Sequence, residues 1–240
     1  GNFYNNDIGS DYDSNNIYCS FYDNKIGESF TDNTIGDINN PNSYEFYSNQ
    51  IGNQFQNNGI TANTHNNVIG NTFENNTIYN TFSYNKISNE FKGNMMLQSF
   101  EGNNIDSFVG GNQFSGGTYA NNIGSYTFDN DFLGQVGGNT WMGNFYINTI
   151  GDNFNGNSFY GEINNNTIGN NFYGNNIQSY FNNNTIGDGF QTNEIKNYFN
   201  ENTIGDGFGY GSAIPQGNKI GNNFYNNTVG EYFYNNSIPD

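Results

Sequence analysis

The side chains that could perform catalysis are few in this chain of 240 residues. His65 is the only histidine and Cys19 the only cysteine. A nucleophile and its base must lie within hydrogen-bond reach of each other, and nothing in the placement of these two residues predicts that. A lone cysteine also excludes an internal disulfide. We therefore predict that the protein is not an enzyme and has neither catalytic residues nor a cofactor.

Acidic residues at predicted corners are the remaining candidates for a functional site, in this case a Ca²⁺ site, because Ca²⁺ binds carboxylate and carbonyl oxygens. Asp188 and Asp206 each stand between two glycines, and Asp11 and Asp13 begin a segment, DYDSN, that is similar to the start of a calcium loop. That segment lacks the turn glycine and the bidentate glutamate of such a loop. For the Gly-Asp-Gly corners we expect turns that the Asp side chain stabilises. Weak Ca²⁺ binding there is the alternative, and we predict no other metal site.

Charge excludes two classes of partner. The chain has 5 Lys and Arg against 22 Asp and Glu, which gives a formal net charge of -17. Such a chain repels nucleic acid and anionic membrane surfaces, and scattered basic residues form no phosphate-binding stripe. No apolar run approaches the length of a membrane span. We predict neither nucleic-acid binding nor membrane insertion.

A repeat of nine residues sets the elements that must position any site. Its template is Asn-x-Ile-Gly-x-x-Phe-x-x, and an asparagine recurs at every ninth position from Asn49 to Asn202. Earlier copies run to Asn42, with Tyr44 as the apolar anchor of that copy, and later copies resume at Asn218. The clearest copies predict a structural ladder of Asn166, Asn175, Asn184, Asn193, Asn202, Ile168, Ile177, Ile186, Ile195, Ile204, Phe172, Phe181, Phe190, Phe199 and Phe208.

The repeat predicts neither a helix nor a long flat strand. Asn, Gly, Thr and Phe are poor helix formers. The residue midway between Ile and Phe is polar, where strand alternation requires an apolar one. The chain must therefore turn between the two anchors, at corners of Gly, Asn and Asp, which tolerate positive φ. Stacked coils of this kind form a β-solenoid.

Threonine and glycine around the isoleucine recur at intervals of eighteen residues, so two repeats should close one coil. We predict an all-β fold, a single-stack parallel β-solenoid of about 13 coils that spans residues 1–240 continuously. Loop irregularities are expected near 36–48 and 205–217, and the middle, 106–140, is less regular.

In an extended Asn-x-Ile segment both named side chains point the same way, so the asparagine should face the interior. A buried amide without a partner costs about 1–3 kcal/mol. Stacked on identical amides, it can donate and accept along the axis. The phenylalanines should stack in files and supply most of the buried area. We predict that asparagine specifies the register and that the aromatic residues stabilise the fold.

Motifs such as NNTIGNNF and NNTIGDGF resemble the Asn/Ile/Gly/Phe nonapeptide arrays of phage and large-virus tail fibres and of bacterial surface proteins. The chain also looks like a relative of the pentapeptide-repeat solenoids. The resemblance covers practically the whole chain. It implies a non-enzymatic rigid shaft of a fibre or appendage that serves surface or host attachment. It also implies an extracellular, cell-surface or virion-surface location.

The repeat is already in phase at Phe3 and Asn6 and is still in phase at Ile238, so we expect that coils continue into flanking segments of a longer chain or that copies stack end to end. The first alternative function is therefore a self-assembling extracellular filament subunit.

A second alternative is an ice- or glycan-binding solenoid. Threonines that precede isoleucine form an outward file, although it is interrupted by Lys25, Gln50, Lys86, Met95, Glu194 and Lys219. Tyr146, Tyr173, Tyr225 and Tyr234 could form aromatic shelves for a surface glycan or for a partner chain, and plain surface packing is the default interpretation.

Overall fold

The computed structural model describes residues 1–40, 43–209, 217–221, 223–233 and 235–238. The chain forms two compact units, Gly1–Gly124 and Ser125–Asp240, which we call unit 1 and unit 2. Every regular element of the described residues is a strand of two or three residues, and the strands pair in parallel. The prediction of an all-β parallel solenoid is confirmed, with about eleven turns where the chain length suggested about 13.

Each coil has four strands and therefore four sides. In unit 2 the strands Phe172–Tyr173, Asn176–Ile177, Phe181–Asn182 and Thr185–Ile186 follow one another. The next strand, Phe190–Gln191, then pairs with the first, with Phe190 opposite Phe172. We call the sides the first, second, third and fourth face. Phenylalanine slots lie on the first and third faces and isoleucine slots on the second and fourth, so two nine-residue repeats close one coil.

Among its described residues, unit 1 has seven strands on each of its first two faces and six on each of the others. The first face contains Phe3–Tyr4, Phe21–Tyr22, Glu45–Tyr47, Asn63–His65, Phe82–Ser83, Phe100–Glu101 and Thr118–Tyr119. The second contains Asp7–Ile8, Lys25–Ile26, Gln50–Ile51, Val68–Ile69, Lys86–Ile87, Asn104–Ile105 and Asn122–Ile123. The third contains Asp11–Asp13, Ser29–Thr31, Gln54–Gln56, Thr72–Glu74, Glu90–Lys92 and Phe108–Gly110. The fourth contains Asn16–Ile17, Thr34–Ile35, Gly59–Ile60, Thr77–Ile78, Met95–Met96 and Gln113–Phe114.

Unit 2 repeats the arrangement. Its first face contains Val136–Gly137, Phe154–Asn155, Phe172–Tyr173 and Phe190–Gln191. The second contains Thr140–Trp141, Ser158–Phe159, Asn176–Ile177, Glu194–Ile195 and Lys219–Ile220. The third contains Tyr126–Phe128, Asn144–Tyr146, Ile163–Asn164, Phe181–Asn182, Phe199–Asn200 and Phe224–Tyr225. The fourth contains Asp131–Phe132, Thr149–Ile150, Thr167–Ile168, Thr185–Ile186, Thr203–Ile204 and Thr228–Val229.

Two files of phenylalanine rings fill the core of each coil. Phe172 and Phe190 stack on the first face of unit 2 with ring centroids 5.0 Å apart and an interplanar angle of 2°. Phe181, on the third face, meets Phe190 edge-on at 5.8 Å and 60°. Parallel stacking along the axis and edge contacts across it are both favoured aromatic geometries. The core therefore gains packing energy within each coil and between coils.

Where a phenylalanine slot holds a small residue, an adjacent isoleucine slot holds an aromatic one. In unit 1, Phe114 lies in a fourth-face slot between Val109 and Thr118 in the sequence, and its ring is 5.0 Å from that of Phe100. In unit 2, Trp141 follows Val136, stacked on Phe159 at 5.9 Å. Cores are close-packed, so volume lost in one slot must be replaced nearby. The exchange keeps these coils filled although the repeat is weaker there.

An insertion corrects the predicted role of Tyr44. Phe46 pairs with Phe21 on the first face and is fully buried, whereas Tyr44 is half-buried and precedes the strand. Phe46 follows Ile35 by eleven residues, while Phe190 follows Ile186 by four, so seven residues are inserted at this corner. The ladder passes directly from Asn24 to Asn49. Asn42 lies outside the described residues.

A second insertion of the same length lies in unit 2. Asn218 follows Phe208 by ten residues, while Asn193 follows Phe190 by three. Asn193 donates to Asn218 across this enlarged coil at 3.1 Å, so the ladder resumes its register after the insertion.

Candidate functional site

The buried asparagine ladder is the most regular polar arrangement in the molecule. The Nδ2 group of Asn184 donates to Oδ1 of Asn202 at 3.2 Å, and also to the backbone carbonyls of Ile163 and Asn182. Its Oδ1 atom accepts from Nδ2 of Asn166 at 2.9 Å and from the backbone N–H of the same residue at 3.0 Å. Every polar atom of this amide is thus satisfied, which removes the cost of burying it.

All the ladder residues that the sequence predicted are buried in unit 2. Asn166, Asn184 and Asn202 precede strands of the fourth face, and Asn175 and Asn193 precede strands of the second. The inner residues follow the face assignment: Ile168, Ile186 and Ile204 on the fourth face, Ile177 and Ile195 on the second, Phe172, Phe190 and Phe208 in the first-face file, and Phe181 and Phe199 on the third. These amides and hydrocarbons build the coil and have no titratable group.

The corner before most of the ladder asparagines has left-handed backbone. Asn165 has φ 57° and Asn183 has φ 55°, values that Asn and Gly tolerate best. Ile147 occupies the same position with φ 54°, where its branched side chain is unfavourable. The sequence analysis did not identify this position, although the frequent Asn and Gly residues there indicate left-handed backbone.

Asp188 and Asp206, the candidate Ca²⁺ ligands, lie on the corner between the fourth and first faces of unit 2. The Oδ1 atom of Asp188 accepts the backbone N–H of Asp206 at 2.8 Å, and Oδ1 of Asp206 accepts that of Glu231 at 2.7 Å. These bonds stabilise the turns. Within the described residues, no three His, Cys, Asp or Glu side chains come together as a metal site would require. Weak Ca²⁺ binding at these corners stays a prediction.

His65 lies on the first face of unit 1 and is held by its neighbours. Its Nδ1 atom is 3.1 Å from Nδ2 of Asn66, its Nε2 atom is 3.5 Å from a carboxylate oxygen of Glu45, and its ring stacks on Tyr47 at 5.1 Å. Cys19 is a free, half-buried thiol at a corner of the same unit. These contacts order the imidazole on the surface.

The exposed tyrosines predicted to form shelves lie on different faces. Tyr173 is on the first face, and Tyr146 and Tyr225 are on the third. Burial and the neighbouring Glu162 carboxylate raise the pKa of Tyr146. Tyr234 lies outside the described residues. Tyr146, Tyr173 and Tyr225 therefore do not form one shelf.

The outward positions that were predicted to form one threonine file belong to two faces, the second and the fourth. Of the residues expected to interrupt it, Lys25, Gln50, Lys86, Glu194 and Lys219 lie on the second face, and only Met95 lies on the fourth. Successive nine-residue repeats lie on alternate faces, so the file predicted from the sequence combined the outward residues of two faces. On the fourth face of unit 2 the outward position holds Asp131 in the first coil and threonine in the next five, which are the exposed Thr149, Thr167, Thr185, Thr203 and Thr228.

Two open grooves accompany the corners between the fourth and first faces. One, of about 510 Å³, lies in unit 1 between Tyr18 and Tyr79, beside the insertion residues Asp37, Ile38 and Asn39. The other, of about 480 Å³, lies in unit 2 and includes Asp188, Asp206, Gln191 and Tyr232. Sequence reasoning missed both grooves. The only signal for the first was tyrosine at positions where the template has glycine.

The described residues include no helix that could serve as a membrane span. Comparison of the chain with protein-family models, with curated proteins and with solved structures finds no match.

Proposed function

We propose that this solenoid is a structural repeat protein that forms the rigid shaft of an extracellular or virion fibre and serves attachment to a host or surface. The observation that supports this most directly is the asparagine ladder. In unit 1 it connects every coil from Asn6 to Asn121, and in unit 2 every coil from Asn139 to Asn236.

The ladder acts together with two other sets of bonds that run in the same direction. Parallel backbone pairing joins each coil to the next on four faces, and the phenylalanine files stack along the axis. Bending a coil away from its neighbour would break all three sets at once. A unit that resists bending is suited to transmit position and force, which is what a shaft does. A catalyst has no need of such uniform coils.

Partners follow from the direction of the ladder. Between ladder amides, Nδ2 donates to Oδ1 of the asparagine in the coil that follows, and Oδ1 accepts from the asparagine in the coil that precedes. The two edges of any stack of coils are therefore complementary, and we infer that flanking coils of a longer chain or further copies are the natural partners. In the second case the protein is a filament subunit.

Electron microscopy of the purified chain at rising concentration tests the shaft. Straight rods of constant width, or filaments built from them, are the expected result. Compact or flexible particles would contradict the proposal. Attachment is tested separately with beads that carry the chain on a surface coated with neutral polysaccharide, where retention under flow is expected.

Ice binding is the second candidate function, because the threonine file of unit 2 repeats a hydroxyl and a methyl group in five successive coils, from Thr149 to Thr228. The expected result is that the chain inhibits ice recrystallisation and that Thr185→Lys abolishes the effect. Asn176→Lys, on the second face, is the matched control. Equal behaviour of the two variants would rule this candidate out.

A further inference from the structure

The groove of unit 1 is formed where the chain departs from its own repeat. In unit 2 a glycine follows the fourth-face anchor in five coils, from Gly151 to Gly230, whereas Tyr18 and Tyr79 stand at that position in unit 1. Gly59 stands between Thr34 and Thr77 at an outward position of the fourth face. Departures from a local rule are expected where function requires them. Here the departures place two aromatic side chains, Tyr18 and Tyr79, at the groove, and Gly59 lines it without a side chain.

The two tyrosines lie far enough apart for an extended ligand. The anchors before them, Ile17 and Ile78, belong to strands of one face that are separated by Ile35 and Ile60, in register. Three strand spacings of about 4.8 Å place the two positions roughly 14 Å apart along the axis. The side chains are 63% and 38% exposed, and neither hydroxyl makes a hydrogen bond within the described part of the chain. The separation exceeds one sugar ring and fits a short chain of them.

The insertion provides the polar side of the groove. Oδ1 of Asp37 accepts the backbone N–H of Asn39 at 2.9 Å and its side-chain amide at 3.2 Å, which fixes the turn. Ile38, between them, is 65% exposed and adds an apolar contact. The groove thus combines aromatic and aliphatic surface with a few ordered carboxylate and amide groups. A volume of about 510 Å³ is typical of small-molecule sites.

This chemistry matches a carbohydrate. The C–H faces of sugar rings pack on aromatic side chains, and their hydroxyls donate to carboxylate and amide oxygens. The net charge of -17 disfavours acidic sugars. We propose that the groove between Tyr18 and Tyr79 binds a neutral oligosaccharide segment of a surface glycan. The proposal rests on the attachment function and deepens it, because it names the class of molecule that is recognised.

Titration calorimetry with maltohexaose, cellohexaose, mannohexaose and chitohexaose tests the groove. We expect the wild-type chain to bind at least one of them, and Tyr18→Ala and Tyr79→Ala each to weaken that binding by about tenfold or more, as for aromatic anchors of binding sites. Tyr160→Ala is the matched control, because Tyr160 is an exposed tyrosine after an anchor residue in unit 2. Circular dichroism verifies that each variant folds.

The proposal is overturned if the folded wild-type chain binds none of the four sugars, or if Tyr160→Ala weakens binding as much as the groove variants do. The bead assay separates this result from the shaft and attachment functions. Retention of Tyr18→Ala and Tyr79→Ala beads at the wild-type level would overturn the groove and leave attachment intact. Sugar binding without retention of wild-type beads would contradict attachment and support the groove.

Discussion

The corner between the fourth and first faces is built differently in the two units. In unit 2 it repeats almost unchanged after the first coil: a glycine follows five of the six anchors, all except Phe132, which Leu133 follows. The Asp or Asn after the glycine accepts a backbone N–H of the next coil, as Asp152, Asn170 and Asp188 do. In unit 1 the same position holds a larger side chain, such as Thr61 or Leu97, in every corner except that of Gly36, which contains the insertion.

The difference shows which part of the coil is constrained. A Cβ atom on Gly187 would lie 3.1 Å from the carbonyl carbon of Gly169, because successive corners of unit 2 pack directly on each other. In unit 1 the same backbone bond to the preceding coil is made by residues with side chains, such as Thr61 and Leu97. Both designs surround the same buried ladder and the same phenylalanine slots. The core fixes the coil, and the corner is free to acquire binding chemistry.

The largest loss in the free energy of unfolding is expected at the asparagine ladder, which both units share. Asn85→Ala in unit 1 and Asn184→Ala in unit 2 each remove an amide that accepts two hydrogen bonds and donates three. Several buried groups lose partners at about 1–3 kcal/mol each, so we expect a loss of about 3–5 kcal/mol in both units. Denaturant unfolding measures it, with the exposed Asn16→Ala as the control. A much smaller loss in one unit would break the claim of a common ladder.

The next effect should differ between the units. Gly187→Ala forces a methyl group against the preceding coil, and overpacking of this kind costs about 1–3 kcal/mol. Ser115→Ala, at the same position of a unit 1 corner, should change the free energy of unfolding by less than about 0.5 kcal/mol. Equal effects, measured by thermal unfolding, would mean that the two corners are equally constrained.

A stabilising change should again be shared. Ile147 in unit 2 and Ala120 in unit 1 both have left-handed backbone, with φ 54° and 53°. Replacing each by Asn should raise the free energy of unfolding by about 1 kcal/mol, because left-handed backbone costs most other residues about 1–2 kcal/mol. The reverse change, Asn165→Ile, should lower the melting temperature. If Ile147→Asn lowered it instead, side-chain packing rather than backbone strain would dominate this corner.

The smallest effect concerns the second ladder, which unit 2 has at its corner. Asp188→Ala removes the acceptor of one backbone N–H and should cost about 0.5–1.5 kcal/mol. Asp188→Asn keeps the acceptor, as Asn170 does in the preceding coil, and should be nearly neutral. Hydrogen exchange at the Asp206 amide reports this bond directly. Unchanged protection in Asp188→Ala would show that the bond contributes nothing.

The inner residues could be predicted from the sequence because spacing alone decides which side chains point inward. The number of faces could not, since spacings of four and five fit several coil shapes. Tyr44 was assigned wrongly because 57 of the 240 residues are asparagine, so the template can be placed in phase on an asparagine by chance. The position of Phe46 depends on its pairing with Phe21, which only the folded chain displays.

The surface was harder to predict than the core. The threonine file appeared broken because neighbouring repeats lie on different faces, so Lys25 and Thr34 were compared although they belong to separate sheets. The groove of unit 1 depends on residues about sixty positions apart, Tyr18 and Tyr79, that stacking brings to one corner. The periodic pattern of the sequence does not predict this groove, because Tyr18 and Tyr79 are residues that depart from the pattern.

The seven-residue insertions have a consequence for how such a chain can change over time. The asparagine ladder and the strand pairing resume on the far side of each insertion, with Asn49 above Asn24 and Asn218 above Asn193. Extra residues therefore lengthen the contour of one coil without altering the pitch of the stack. A corner of this solenoid can therefore accept a new loop in one coil at a time. The length of the loop does not change the pairing of the coils on either side.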